Sequence, residues 1–478
     1  KNEADIKINR ITKQIDSLAK AIRENFDAVP IFQTFSRIPG SLTGSFDLFL
    51  PGSNQNLINQ INNNLISLKR NADLLFDIGS LSENLGLNNW YNSSQWNAFQ
   101  IPFSLDLSPI VADHFTRLIS ASLGLSAKCL VVDLDNTIWG GIIGEVGIEG
   151  ININEGDPEG EAYRNFQKTI KALKNIGIIL AICSKNDLKI VEDALTNHPE
   201  MVLKKQDFSV IYANWNKKST NLELIAKQLN IGLDSIVFID DNPAERAEIR
   251  MSLPEVIVPE ISSDPSNYSR TLLEAGYFES ISLVKEDFNR AENYNANFKH
   301  KELLTDSGNF EKYLESLEMK ATISEFKPES LIRINQLINK TNQFNLTTKR
   351  YLQKDVDFFC NSKNHITLQL KLTDCFLDNG LVSVLIANYE NNQINIDTWV
   401  MSCRVIGRRV EHFMMDQLIN LSLDKGINKI IGKFIETEKN EVVRNLYKDL
   451  GFTKINKNDK IIEWKINPKE YLIKNPPI

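Results

Sequence analysis

No run in this sequence comes near the ~20 consecutive apolar residues that a membrane-spanning helix requires. Nor does a charged, then apolar, secretory leader open it. Cysteine is scarce: Cys129, Cys183, Cys360, Cys375 and Cys403 are odd in number and form no C-x-x-C pair. That pattern excludes a disulfide framework, and reduced thiols in a cytoplasmic protein are the expectation. His114, His198, His300 and His365 show no ligand spacing, which argues against zinc. A basic excess is missing too. The net charge is −7 and the isoelectric point is near 5.5, against a nucleic-acid partner. Internal repeats and extended low-complexity tracts are absent. Lys1 rather than a methionine opens the sequence.

What remains is a soluble, multidomain composition. At 478 residues, with 42% hydrophobic and 24% charged residues, two or three domains are expected. Residues 1–126 read as mostly helical, with "LINQINNNLISLKRNADLLFDIGSL" apolar at helical spacing. In "DLSPIVADHFTRLISASLG", Ser108 reads as cap, Pro109 as first helical residue and Gly124 as the end. From 127 to 260 strands and helices alternate: "AKCLVVDLD", "IILAICS", "FSVIYAN" and "DSIVFIDD" are separated by amphipathic segments. Near-continuous apolar strands alternating with helices predict a parallel sheet covered on both faces. Residues 261–320 read as a linker that opens on "SSDPSNYS" and continues as charged helices. Residues 321–478 read as a second α/β unit, with strands at "MKATISEF" and in "LVSVLIANYENNQINIDTWVMS", then helix, strand and helix.

In parallel sheets ligands bind beyond the carboxyl ends of the strands, and three strands here end in polar residues. "VVDLDNT" places Asp133 and Asp135 at such an edge, "ICSKN" places Ser184, and "FIDDN" places Asp240 and Asp241. Carboxylates gathered at one edge repel each other unless a cation joins them, and a hard ion such as Mg²⁺ prefers oxygen ligands. Ser184 can donate to a phosphoryl oxygen. A lysine in "NWNKKSTN", Lys217 or Lys218, can neutralise developing charge. Nucleophile, acid/base, cation and electrostatic clamp are the parts phosphoryl transfer needs.

"DLDNT", "ICSKN", "KKS" and "IDDNP", in this order, resemble the four motifs of the haloacid dehalogenase (HAD) superfamily. The resemblance implies Asp133 as the nucleophile, Asp135 as general acid/base, and Mg²⁺ held by Asp133, Asp135, Asp240 and Asp241. Phosphate-binding roles are implied for Thr137, Ser184, Lys185, Asn186 and Lys218. Lys218 is favoured as the third-motif lysine because it directly precedes Ser219 and a helix. Only 49 residues separate Asp135 from Ser184 and 34 separate Ser184 from Lys218. A capless domain is therefore expected, with "GGIIGEVGIEGININEGDPEG" as a small flap, although such chemistry normally needs a water-excluding lid.

The longer strings "CLVVDLDNTIWGGIIGEVGIEG", "TNQFNLTTKRY" and "SCRVIGRRVE" resemble a narrower group, the FkbH-like HAD proteins. "GLNNWYNSSQWNAFQIPFS" is similar to the end of that group's N-terminal region, often SGNH-hydrolase-like. The group implies removal of phosphate from a 1,3-bisphosphoglycerate-like substrate and loading of the glyceryl group onto an acyl-carrier-protein thiol. "NEVVRNLYKDLGF" and "RVIGRR" resemble a GCN5-related acyltransferase (GNAT). Acyl- or pantetheine-binding roles follow for Arg404, Gly407, Asn440 and Tyr447, with acyl-CoA or a carrier arm as partner. Arg409 departs from the small residue expected there. Cys403, beside a guanidinium and ahead of a helix, is the candidate acyl-holding thiol.

The expected fold is thus a Rossmann-like HAD sheet with helices on both faces, a GNAT-like C-terminal α/β domain and a mainly helical N-terminal region. Two rivals stand beside the acyl-loading reading. One is a sugar-phosphate phosphatase with an acyltransferase domain in surface-polysaccharide biosynthesis. The other is a non-catalytic binding scaffold.

Overall fold

A computed structural model describes residues 2–283 and 310–478, apart from 27, 71–72, 376, 391, 438 and 459, and of the stretch between them only Phe288. The chain divides into two units: Lys1–Leu123 with Leu352–Asp355, and Gly124–Tyr351 with Val356–Ile478. No helix among the described residues is long and apolar enough to cross a membrane.

The first unit is helical around one small parallel ribbon, β1 (Ile31–Gln33) with β2 (Leu74–Phe76). The apolar run 57–81 predicts one helical stretch. The structure instead ends a helix at Leu68, inserts β2 and restarts a helix at Ile78, with the Asp77 side chain accepting from Ser80 N. A three-residue strand is too short to show its period of two among helical neighbours. In the helix Ser108–Ser122 the structural cap is Leu107, and Ser108 already lies within the first turn.

In the second unit the first sheet is four-stranded and wholly parallel. Its strands are β3 (Cys129–Val132), β4 (Ile179–Ser184), β5 (Val210–Ala213) and β6 (Ile236–Ile239), in the order β5-β4-β3-β6. Side chains alternate across a strand, and here the alternation feeds two cores. Leu130, Val132, Leu180, Ile182, Val237 and Ile239 face one, while Cys129, Val131, Ile179, Ala181, Ile236 and Phe238 face the other. The helix Pro158–Asn175 covers the first face with Tyr163, Phe166, Ile170 and Leu173. It starts where Asp157 accepts from Gly160 N at 2.8 Å and stops before Gly177, whose φ is +96°. The helix Lys218–Leu229 covers the second face with Leu222, Ile225 and Leu229. Burying each such side chain contributes about 1.5–3 kcal/mol.

The stretch from 261, read from its Ser/Asp/Pro opening as linker, belongs to this domain as far as Glu279. Tyr268 and Leu272 are buried in the first core, and Ala127 N donates to Tyr277 O at 2.9 Å. The charged helices expected farther on lie largely outside the described residues.

The second sheet has seven strands in the order β12-β13-β11-β10-β9-β8-β7. They are β7 (Lys320–Ser324), β8 (His365–Thr373), β9 (Asp378–Glu390), β10 (Gln393–Met401), β11 (Lys429–Ile435), β12 (Thr453–Asn458) and β13 (Ile461–Ile466). All neighbours are antiparallel except β10 and β11. A parallel pair needs a long crossover, and the helix Val410–Asp424 supplies it, burying Val410, Met414, Leu418 and Ile419. The helix Leu331–Lys340 covers the opposite face through Ile334, Leu337 and Ile338.

Candidate active site

The carboxyl edge of the parallel sheet gathers the residues that the sequence places there. Asp133 directly follows β3, Ser184 ends β4, and Asp240 directly follows β6. Lys218 opens its helix after β5 and turns inward, whereas Lys217 is exposed. The Lys218 Nζ lies 2.8 Å from Asp133 Oδ2 and 2.5 Å from Asp240 Oδ2, so one buried ammonium ties two strand ends together. Burial opposes that charge, but the two carboxylates outweigh it and hold the Lys218 pKa above the ordinary lysine range. Burial, with Asp133 adding repulsion, raises the Asp240 carboxyl to about 7. The same two causes raise Asp241.

Asp133, Asp240 and Asp241 each offer an oxygen within 4.8 Å of the others. Three carboxylates and one ammonium leave two negative charges, the complement of a divalent cation. Asp133 Oδ1 is buried without a hydrogen-bond partner, a costly state for a carboxylate oxygen unless a ligand meets it. An oxygen-only donor set with one vacant buried oxygen fits Mg²⁺. Asp135 lies outside this trio. Its carboxylate accepts from Trp139 Nε1 at 2.9 Å, Ile143 N at 3.1 Å and Asn186 Nδ2 at 3.0 Å. A carboxyl held by three donors keeps one orientation, as general acid/base work needs, and its side chain is not placed to join the metal cluster.

Thr137 Oγ1 accepts from Asp241 N at 3.2 Å and lies 3.3 Å from Asp241 Oδ1, coupling the first motif to the fourth. Ser184 is buried, and its hydroxyl accepts from Asn186 Nδ2 at 3.0 Å. Lys185 instead pairs with Glu245 Oε1 at 2.5 Å and is partly exposed. Neighbouring Cys183 is inert, because burial pushes its thiol up to about 12.

Three further residues support the site. Arg246, buried one turn into the helix Pro243–Ser252, donates to the Asp240 carbonyl at 2.9 Å and the Asp241 carbonyl at 2.7 Å. Tyr268 donates to the Asn136 carbonyl at 3.2 Å, while Asn136 itself sits at φ +52° and accepts from Gly141 N at 2.8 Å. Trp139 is fully buried, and its indole N–H fixes Asp135. An arginine in a polar helix and a tyrosine in an apparent linker carry no local signal of these contacts.

The flap is a compact loop closed by a Gly140–Asn152 bridge, with Ile143, Ile151 and Ile153 buried beneath it. Gly140 is needed there, since a Cβ would come 2.9 Å from the Tyr163 ring. No separate cap domain interrupts the sheet between Asp135 and Ser184, or between Ser184 and Lys218.

Cys403 lies elsewhere. It is half-buried at the start of a one-turn helix after β10, lining an open pocket with Arg404, Gln343, Lys128, Ile179 and Gly232. Lys128 and Ile179 mark the amino ends of β3 and β4, so this pocket is at the opposite edge of the parallel sheet from Asp133. Five residue steps of strand from Lys128 to Asp133 span roughly 16 Å. Of the expected acyl-binding residues, only Arg404 faces that pocket, donating from Nε to Ser402 Oγ at 3.0 Å. Gly407 is exposed at φ +82°. Asn440 is fully buried, donating to the Asn345 and Ile435 carbonyls, both at 2.9 Å. Tyr447 is buried over Gly432, its phenol raised by burial above the ordinary range. Arg409 pairs with Glu311 and stacks on Phe310.

No protein-family model and no curated protein sequence matches this chain. Among solved structures it is similar to the N-terminal part of protein BF1531 from Bacteroides fragilis, which contains a phosphatase domain and is complexed with Mg. The identity is 35% and the TM-score 0.55, covering 59% of this chain and 75% of that one. The ribosomal-protein-S18-alanine N-acetyltransferase from Escherichia coli aligns with 31% of this chain and 94% of its own at 11% identity and TM-score 0.26. A spermidine N-acetyltransferase from Vibrio cholerae aligns with 32% of this chain and 96% of its own at 13% identity and TM-score 0.26. The four motifs at one sheet edge and the likeness to the Bacteroides protein identify the enzyme class: the chain belongs to the HAD superfamily of phosphatases.

Proposed function

We propose that this protein is an FkbH-like enzyme that removes phosphate from a small phosphorylated acyl substrate and passes the acyl group to a thiol. The observation that carries the phosphatase half is the unpartnered Asp133 Oδ1 beside Lys218, Asp240 and Asp241. Asp133 attacks phosphorus, the bond from phosphorus to the leaving oxygen breaks, and Asp135 supplies that oxygen with a proton. Asp135 then takes a proton from water, whose oxygen cleaves the aspartyl-phosphate and regenerates Asp133. Lys218 holds Asp133 in place and offsets charge on the phosphoryl oxygens. Asn186 keeps Asp135 aimed, and the Ser184 hydroxyl is available to a phosphoryl oxygen. Mg²⁺, held by Asp133, Asp240 and Asp241, would supply charge neutralisation to the phosphoryl group.

Chemistry then decides which phosphate this site removes. Transfer of an acyl phosphate's phosphoryl group to Asp133 would release a free carboxylate, with no activation left for thioester formation. A thiol must instead attack the acyl carbon and expel that phosphate. For a 1,3-bisphosphoglycerate-like substrate the Asp133 site therefore hydrolyses the ester phosphate, and the thiol step belongs elsewhere. Cys403, at the opposite sheet edge, suits a separate step and not a handover inside one pocket. A carrier-protein thiol is the final acceptor in this reading.

The test is intact-protein mass spectrometry after incubation with Mg²⁺ and enzymatically generated 1,3-bisphosphoglycerate. Wild type should carry a glyceryl adduct, Asp133→Asn a phosphoglyceryl adduct and Cys403→Ala none. A glyceryl adduct on Asp133→Asn would overturn the division of labour. Absence of any adduct, with phosphate released from sugar phosphates, would favour the polysaccharide reading.

A further inference from the structure

Among the described residues, the only parallel neighbours in the C-terminal sheet do not stay together. β10 and β11 pair over Gln393–Ile396 and Lys429–Gly432, and then β10 bulges between Ile396 and Thr398. Beyond the bulge the two strands diverge into a fork whose backbone donors and acceptors no longer pair with each other. A fork of this kind is a ready slot for an amide-bearing chain, which can enter as an extra strand. The pantetheine arm shared by coenzyme A and carrier proteins has two amides and would suit it. Of the residues expected to bind such an arm, Asn440 bonds to this region and Tyr447 packs against Gly432 of β11.

The slot is filled. Met401 N donates to Phe344 O at 3.1 Å, and Leu346 N donates to Trp399 O at 3.3 Å, an antiparallel pairing centred on the Asn345–Val400 bridge. On the other side Ile435 N donates to Leu346 O at 2.8 Å. Thr347 Oγ1 donates to Asp397 O at 2.8 Å. Asn440 locks the insertion: its amide donates to Asn345 O and Ile435 O, while its Oδ1 accepts from Thr437 N at 2.9 Å. Phe344 packs edge-on against Trp399 with centroids 5.9 Å apart, and Leu346 is fully buried. The chain leaves through Thr348 at φ +55°, anchored by Asn345 Oδ1 at 2.8 Å. Strands stand about 4.8 Å apart. A fork opened by one strand's width therefore has no room for a second insertion.

We propose that Phe344–Thr347 is a built-in occupant of the acyl-arm slot, so that the C-terminal domain takes no pantetheine thioester as acyl donor. This rests on the acyl-transfer reading above and narrows it. The donor class is an acyl phosphate or another activated acyl group without a pantetheine arm, and any carrier thiol meets its acyl group outside the fork. Asn440 and Asn345 are then specificity-determining residues, acting by exclusion.

Hydrogen exchange with and without 1 mM coenzyme A or acetyl-CoA, alongside calorimetry with the same probes, tests this. The amides of Leu346, Met401 and Ile435 should be protected in the free protein and unchanged by either probe, with no saturable heat. Asn440→Ala should speed exchange at Leu346 and Ile435. If that variant does not fold, Thr347→Val, which loses one hydrogen bond, should show the same direction more weakly. Saturable micromolar binding of coenzyme A with changed exchange at these amides would overturn the proposal. So would rapid exchange of all three in the free protein. Phosphate release is read separately, so failure of the phosphatase reading leaves this result interpretable.

Discussion

Replacing Lys218 by methionine preserves side-chain volume and deletes the buried ammonium of the carboxylate cluster. Its ammonium bridges Asp133 at 2.8 Å and Asp240 at 2.5 Å, and both carboxylates are buried. Removing one partner of a buried pair typically costs about 3–5 kcal/mol because the other charge is left uncompensated. Here the penalty depends on pH. Asp240 already titrates at about 7, from burial and Asp133, and losing Lys218 drives it higher. The loss should be larger at pH 8, where more of Asp240 is ionised, and approach about 3–5 kcal/mol. At pH 5.5 Asp240 is protonated and part of the loss disappears. Because the chain holds more than one core, the reading must be local: denaturant-dependent hydrogen exchange of the β3 and β6 amides. A loss below about 1 kcal/mol at pH 8, or an equal loss at both pH values, would refute the argument. The rate of phosphate release should fall about 10²–10³-fold, as when one stabilising donor is removed.

The remaining predictions use the same geometry. Without a divalent cation, the folded wild type holds the Asp240 proton between the ordinary carboxylate value of 3.8 and about 7. Stability from this group is thus present below pH ~4 and lost as pH rises through ~7. Mg²⁺, favouring the ionised cluster, should flatten that fall in a melting series at several pH values. Asp135→Asn keeps the shape but removes the acid/base, and kcat should drop about 10²–10⁴-fold in steady-state phosphate release. Gly432→Ala places a Cβ 2.3 Å from the Tyr447 ring. Overpacking there should cost about 1–3 kcal/mol or more, measured as faster exchange of β11 amides.

The phosphatase domain was legible because its strands are buried on both faces and its charged residues cluster at strand ends. "CLVV" and "IVFI" can only be central strands, and acids directly after them need a partner. Lys218, favoured for its place directly before Ser219 and a helix, turns inward at the helix start, while Lys217 is exposed. Asp135 is a metal ligand only by what the HAD resemblance implies. After β3 the chain turns, and Trp139, Ile143 and Asn186 draw the carboxylate aside. The C-terminal site was less legible. The resemblance implies Asn440 and Tyr447 as an acyl-binding pair, yet the polar contacts of Asn440 are spent on the chain's own backbone. Only long-range pairing between 344–347 and two distant strands reveals this, and periodicity does not encode it.

The central claim is a phosphoryl group carried on Asp133. Its most direct test uses the Asp135→Asn variant, which should form the aspartyl-phosphate from p-nitrophenyl phosphate and Mg²⁺ but hydrolyse it slowly. Acid quenching and peptide mass mapping should then find one added phosphoryl group on Asp133 and none in the Asp133→Asn protein. A phosphoryl group on another residue, or wild-type phosphate release by Asp133→Asn, would contradict the account.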